Sequence, residues 1–197
     1  MNVNIILFDE FETMDAFVPA QIFGMAPEHF YLQYFSVNGG IVTSSQGAKV
    51  WTEILIPEEM EDILVIPGGK GAKRLIYLEP KTVNLMKEAV RNVSYCLMVS
   101  NGSALISQTG ELYRRTITDY AYDENWKRMF SAEIRRVSGV RWLEDGKFYS
   151  CSATAYAIDM ALGAVEDVVD LDVAEKIAAR MGYDWDSGSR EGDSLYK

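Results

Sequence analysis

Apolar residues dominate three short stretches of the chain, residues 3–8, 62–66 and 95–99. Each is nearly continuous rather than alternating, the pattern of a parallel strand buried on both faces. Between the first two, Met14, Phe17, Val18, Ile22 and Phe23 fall close to helical spacing. Pro19 interrupts that pattern, and proline is costly in a helix beyond the first turn. A helix beginning near Val18 is therefore expected, with Asp15 on the turn leading in. Residues 31–37 alternate as a strand, Asn38-Gly39-Gly40 marks a turn, and residues 41–43 form a second short strand. Residues 49–54 are expected as a further edge segment. The stretch at 62–66 runs into the glycine-rich loop Pro67-Gly68-Gly69-Lys70-Gly71, and residues 80–91 carry a helical apolar face.

The third apolar stretch leads directly into Ser100-Asn101-Gly102, a turn that opens a helix. Farther on, Glu144-Asp145-Gly146 between apolar runs signals a hairpin, and residues 154–165 and 173–181 read as two closing helices. Strands alternating with helices predict an α/β fold with a mainly parallel sheet. Sites in such sheets lie beyond the carboxyl ends of the strands. The loops holding Asp15, Gly68-Gly69 and Ser100-Asn101 should therefore converge. One domain over residues 1–183 and a polar, frayed tail over 184–197 are expected.

Charge narrows the partners. Asp and Glu number 29 against 19 Lys and Arg, a formal net charge of −10. An acidic surface repels phosphate backbones, so nucleic acid is not expected as a partner. The longest apolar stretch, residues 151–165, falls short of the roughly 20 residues of a membrane helix and contains Asp159, so no membrane partner is expected either. The N-terminus turns acidic by Asp9, unlike a signal peptide. Two cysteines are too few for a disulfide framework. A cytoplasmic protein with free thiols at Cys96 and Cys151 is expected. The single histidine, His29, lies in a turn-like stretch and reads as a solvated loop residue. It leaves no His-rich zinc site, so no metal is expected. The glycine loop lacks the Lys-Ser/Thr end of a Walker loop, and no cofactor is expected.

Candidate chemistry centres on Ser100. A residue at a sharp strand-to-helix turn projects its side chain forward, and the next N–H can stabilise an oxyanion. Met98 stands where a Gly-x-Ser-x-Gly elbow has its first glycine, so Ser100 equally reads as a helix cap. Asp15 also has two readings, a site acid facing Ser100 or a helix N-cap. Cys96 reads as a buried, inert thiol. Cys151 follows a strand and could face the pocket.

The segments Phe8-Asp9-Glu10-Phe11-Glu12-Thr13-Met14-Asp15, Phe35-Ser36-Val37-Asn38-Gly39-Gly40, Asp62-Ile63-Leu64-Val65-Ile66-Pro67-Gly68-Gly69 and Val99-Ser100-Asn101-Gly102 occur in a telling order. With Trp142-Leu143-Glu144-Asp145-Gly146 and Ala157-Ile158-Asp159-Met160-Ala161-Leu162, the chain resembles the ThiJ/PfpI superfamily over about residues 3 to 182. The likeness is to its isocyanide-hydratase-like and AraC-regulator-like branch, without a helix-turn-helix region. The resemblance implies a flavodoxin-like three-layer α/β sandwich and a homodimer. It also implies a cysteine at the elbow, an acid from the first loop, and an oxyanion hole from the Pro-Gly-Gly loop and the N–H after the elbow. By that likeness Asp15 is the acid, Gly68, Gly69, Asn101 and Gly102 line the hole, and Ser100 stands in place of the cysteine. Asp119 stands where many relatives have a histidine, and Tyr156 replaces a small residue, where it either reshapes the pocket or simply packs.

These departures change the chemistry. A thiol with a pKa of about 8.5 is readily drawn toward thiolate, whereas an alcohol needs a neighbouring base. A carboxylate of pKa about 4 is a weak base toward serine. The leading expectation is a degenerate site that binds a small polar or carbonyl-containing molecule without cysteine-dependent catalysis. The alternative is an active hydrolase, hydratase or acyl-transfer enzyme using Ser100 with Asp15. A third reading, in which Ser100 replaces a cysteine of the natural gene, is decided by the source gene.

Overall fold

The computed structural model describes residues 1–78, 80–118 and 130–187. Eight strands build its central sheet: β1 (Asn2–Ile6), β2 (Tyr31–Ser36), β3 (Gly40–Thr43), β4 (Lys49–Ile54), β5 (Ile63–Ile66), β6 (Tyr95–Val99), β9 (Trp142–Asp145) and β10 (Phe148–Cys151). Their order across the sheet is β3-β4-β2-β1-β5-β6-β10-β9. Pairing is parallel from β4 through β2, β1, β5 and β6 to β10, and antiparallel only for β3 with β4 and β9 with β10. Two three-residue strands, β7 (Thr116–Thr118) and β8 (Arg135–Val137), pair in a separate parallel ribbon.

Burial explains the central strands. All four residues of β5 are buried, and in β1 and β6 only the first residue is not. Among the described residues six helices cover the two faces: α1 (Thr13–Gly24), α2 (Gly71–Leu78), α3 (Pro80–Asn92), α4 (Gly102–Ser107), α5 (Ala157–Val168) and α6 (Leu171–Met181). α1, α5 and α6 pack together, as do α2, α3 and α4, which gives a three-layer α/β sandwich of flavodoxin-like form with a mainly parallel sheet.

Several elements depart from the sequence expectation. α1 begins at Thr13 rather than near Val18 and carries Pro19 inside it. An interior proline costs about 3 kcal/mol. Ile22 and Phe23 are fully buried, each contributing roughly 1.5–3 kcal/mol, so packing outweighs the local penalty. The first N–H of the helix is satisfied from a distance, by Gln46 Oε1 at 2.9 Å from Thr13 N. β4 is no edge strand: it lies between β3 and β2. α2 and the β7–β8 ribbon were not expected. The hairpin is present, with Gly146 and Lys147 as its two-residue loop and Gly146 at φ 62, as a tight hairpin turn requires. The expected helix at 154–165 is divided into a 3-10 turn, Thr154–Tyr156, and α5. Residues 188–197, most of the expected tail, lie outside the described residues.

Candidate functional site

After β1 the chain moves to β2 on one side, and after crossing back it adds β5 and β6 on the other. The sheet therefore switches direction between β1 and β5, the place where α/β folds bind ligands. The loops after β1, β5 and β6 meet there as expected, and the connection after β10 joins them.

Ser100 follows β6 immediately, at φ 51, before α4. This left-handed conformation is strained for a residue with a Cβ. Its backbone is pinned by a 3.1 Å hydrogen bond from Ser100 N to the carbonyl of Cys151 on β10. Gly102 opens α4 against the β5 loop: a Cβ there would stand 2.5 Å from the Ile66 carbonyl oxygen and 2.9 Å from that of Pro67. The sharp turn is thus set by backbone packing, and it holds Ser100 at 7% exposure.

Asp15 is completely buried in the first turn of α1. It is not the N-cap, a position held by Glu12. Its Oδ2 accepts the Gly68 N–H at 3.1 Å, and its Oδ1 accepts the Thr154 hydroxyl at 2.5 Å. Burial pushes its pKa up from the ordinary 3.8, against the hydrogen bonds of Thr154, Gly68 and the Ser100 hydroxyl, which favour the charged form. Asp15 and Ser100 therefore face one another, with the carboxyl already tied to two other groups.

The Pro-Gly-Gly loop is threaded between the other two. Gly68 accepts the Glu12 N–H through its carbonyl at 2.9 Å. A Cβ on Gly68 would lie 2.2 Å from Asn101 Oδ1 and 2.7 Å from Asp15 Oδ2. Gly69 bridges to Phe11 at φ 145, where a Cβ would meet the Glu10 carbonyl oxygen at 2.3 Å. The Gly69 N–H does not point into open space: it donates to Asn101 Oδ1 at 2.8 Å. Because the donor is an N–H, the amide oxygen must face it. Both glycine N–H groups are thus engaged by side chains, Gly68 by Asp15 and Gly69 by Asn101. Among the described residues the Asn101 N–H has no acceptor and is left as a donor at the elbow.

Sequence reasoning did not single out Thr154 or Arg141 as site residues. Thr154 reaches Asp15 because the chain after β10 makes a 3-10 turn there. Tyr156 ends that turn, half-buried against the core, with the Arg141 guanidinium 5.5 Å above its ring. Asp119 lies outside the described residues. Cys151 and Cys96 are both buried, and burial pushes each thiol up to about 12, which leaves them protonated and unreactive near neutral pH. His29 sits in the turn between α1 and β2, beside Glu28 at 4.0 Å. No cluster of metal-ligating side chains occurs among the described residues. What the loops assemble is a small polar cradle: an alcohol, a buried acid and one backbone donor.

The sequence pattern of the DJ-1/PfpI family matches residues 1–167. An isonitrile hydratase of Pseudomonas putida is 23% identical over 197 residues, covering 96% of this chain and 83% of that protein. Among solved structures, a mutant of a DJ-1 superfamily protein from Salmonella typhimurium has a TM-score of 0.80 at 19% identity, covering 93% of this chain and 99% of that one. An AraC family transcriptional regulator from Pseudomonas putida has a TM-score of 0.77 at 17% identity, covering 91% and 98%. These structural likenesses establish the fold.

Proposed function

The chain belongs to the DJ-1/PfpI family, and from that premise we propose that it binds a small polar or carbonyl-containing molecule at the Ser100 elbow without cysteine-dependent catalysis. The observation carrying this reading is the hydrogen bond from Gly69 N–H to Asn101 Oδ1, together with that from Gly68 N–H to Asp15 Oδ2. An oxyanion hole needs preorganised donors aimed at the developing charge. Here the Gly68 and Gly69 N–H groups are both occupied. The residue at the attacking position is an alcohol, and the carboxyl facing it already serves Gly68 and Thr154. Gly68, Gly69, Asn101, Gly102 and Tyr156 then line a binding site. Residues 1–183 form the working domain, and we take the protein to act as a cytoplasmic homodimer.

One observation favours a second reading. The Ser100 hydroxyl faces Asp15 from a strained elbow, and burial makes Asp15 a stronger base than an ordinary carboxylate. In that reading Ser100 is the nucleophile or a hydrogen-bonding group, Asp15 the acid/base and the Asn101 N–H the oxyanion donor.

The two readings separate when the purified protein and its Ser100→Cys variant are assayed side by side on methylglyoxal and on an aryl isocyanide. The isocyanide is chosen because the P. putida relative is an isonitrile hydratase. Turnover only in the cysteine variant is the expected result. Turnover in the unmodified protein that Ser100→Ala abolishes would overturn the binding reading in favour of the serine enzyme.

A further inference from the structure

Resting on the small-ligand reading of the elbow, we propose that Arg141 is the anion-recognising residue of this site and that the ligand carries a carboxylate. The placement comes from the β9–β10 hairpin. Trp142 pairs with Cys151, the last residue of β10, whose carbonyl holds Ser100 N. Arg141 precedes Trp142 on the edge strand β9, two strands from β6 and the Ser100 turn. The Arg141 carbonyl accepts the Ser152 N–H at 2.9 Å. Two residues beyond Ser152, Thr154 touches Asp15, and two beyond that, Tyr156 lies under the Arg141 guanidinium. One short segment therefore runs from Arg141 to the acid of the cradle.

The guanidinium is supported on one side and open on the other. Its side chain is 58% exposed, while Asp159 below it is buried. Arg141 Nη1 lies 3.6 Å from Asp159 Oδ2, close enough for attraction and too far for a good hydrogen bond. The other Asp159 oxygen takes the Tyr183 hydroxyl at 2.8 Å. A buried carboxylate and an aromatic face thus fix the plane of the guanidinium without using up its fork of donors. Arg74, on α2, leans toward Asp9 of the loop after β1 at 3.8 Å. In a chain of net charge −10, a guanidinium held over Tyr156, which lines the proposed site, and open on its other side selects a carboxylate by bidentate hydrogen bonding. A carbonyl on the same ligand would then face the Asn101 N–H.

Pyruvate and pyruvamide test this, because they share shape and carbonyl and differ in charge. Each is titrated into the full chain while the Ser100 and Asn101 amide resonances are followed. Pyruvate should bind about tenfold more tightly than pyruvamide, the scale of one charge-assisted hydrogen bond. Arg141→Gln should erase that preference and Arg141→Lys should retain part of it. If Arg141→Gln fails to fold with Asp159 left uncompensated, the double variant Arg141→Gln, Asp159→Asn removes both charges and is read instead. Equal affinity for the two probes, or a preference that survives loss of the guanidinium, would overturn the role of Arg141 while leaving the binding site standing. No response of either amide to either probe would overturn the binding reading and this proposal with it.

Discussion

Replacing Asn101 with alanine removes the carboxamide that accepts the Gly69 N–H at 2.8 Å. If that N–H then stayed dry, the cost would be about 1–3 kcal/mol for an unsatisfied buried donor. A water in the vacated space would recover most of it, at an ordering cost of about 0–2 kcal/mol. Asn101 retains 6% exposure at the carboxyl end of the central strand β6, and its truncation opens space toward that surface. The expected loss is therefore about 1 kcal/mol, read as a lowered urea midpoint with an unchanged slope. Native-state hydrogen exchange gives a sharper reading, because the Gly69 amide should exchange faster in the variant. The same change made in Ser100→Cys should raise turnover above Ser100→Cys alone, because a second oxyanion donor is released. A Gly69 amide that exchanges at an unchanged rate would refute the reasoning, since the carboxamide would then not be what holds it.

Two further outcomes follow from the buried groups. Burial raises the Asp15 pKa, so between 3.8 and the folded value the folded state holds a proton that the unfolded state has released. Stability then falls as pH rises through that window. Asp15→Asn should remove this fall, so that its stability relative to the unmodified protein improves with pH; a difference independent of pH in urea unfolding would contradict it. Gly163→Ala on α5 gains about 1 kcal/mol of helix propensity, but its Cβ would stand 2.4 Å from Trp142 Cη2. Trp142 is buried and stacked on Tyr149 at 6.3 Å, so overpacking of about 1–3 kcal/mol should win, and Trp142→Phe in the same chain should lessen the loss. A net stabilisation by Gly163→Ala would show that the indole yields freely.

The parts of the fold that the sequence reveals are those whose cause is local. β1, β5 and β6 are buried on both faces and so read as apolar runs. The meeting of Asp15, Gly68 and Ser100 follows from the rule that loops gather at the carboxyl ends of parallel strands. The start of α1 is not legible, because its first N–H is satisfied by Gln46 from the β3–β4 connection. α2 is hidden for a similar reason: Gly71 looks like loop chemistry, yet a Cβ there would stand 1.8 Å from the Asp9 carbonyl oxygen. Its glycine records a close approach of two loops rather than a break in helix. Thr154 and Arg141 reach the site through the β9–β10 hairpin and the turn after it, and no spacing in the sequence marks either as a partner of Asp15.

The strain at the elbow has a backbone origin. A non-glycine residue at φ 51 costs about 1–3 kcal/mol, and such strain at a nucleophile position invites a catalytic explanation. Yet the Ser100 main chain is constrained by other backbone groups. Its N–H is fixed to the Cys151 carbonyl across the β6–β10 pair, and Gly102 is pressed against the carbonyls of Ile66 and Pro67. None of these contacts involves the side chain at position 100, so Ser100→Cys should leave the turn where it is. The strain is therefore set by the sheet-to-helix crossing. On the proposed binding reading, the difference from catalysis lies in the donors around the hydroxyl, where Asn101 Oδ1 accepts the Gly69 N–H.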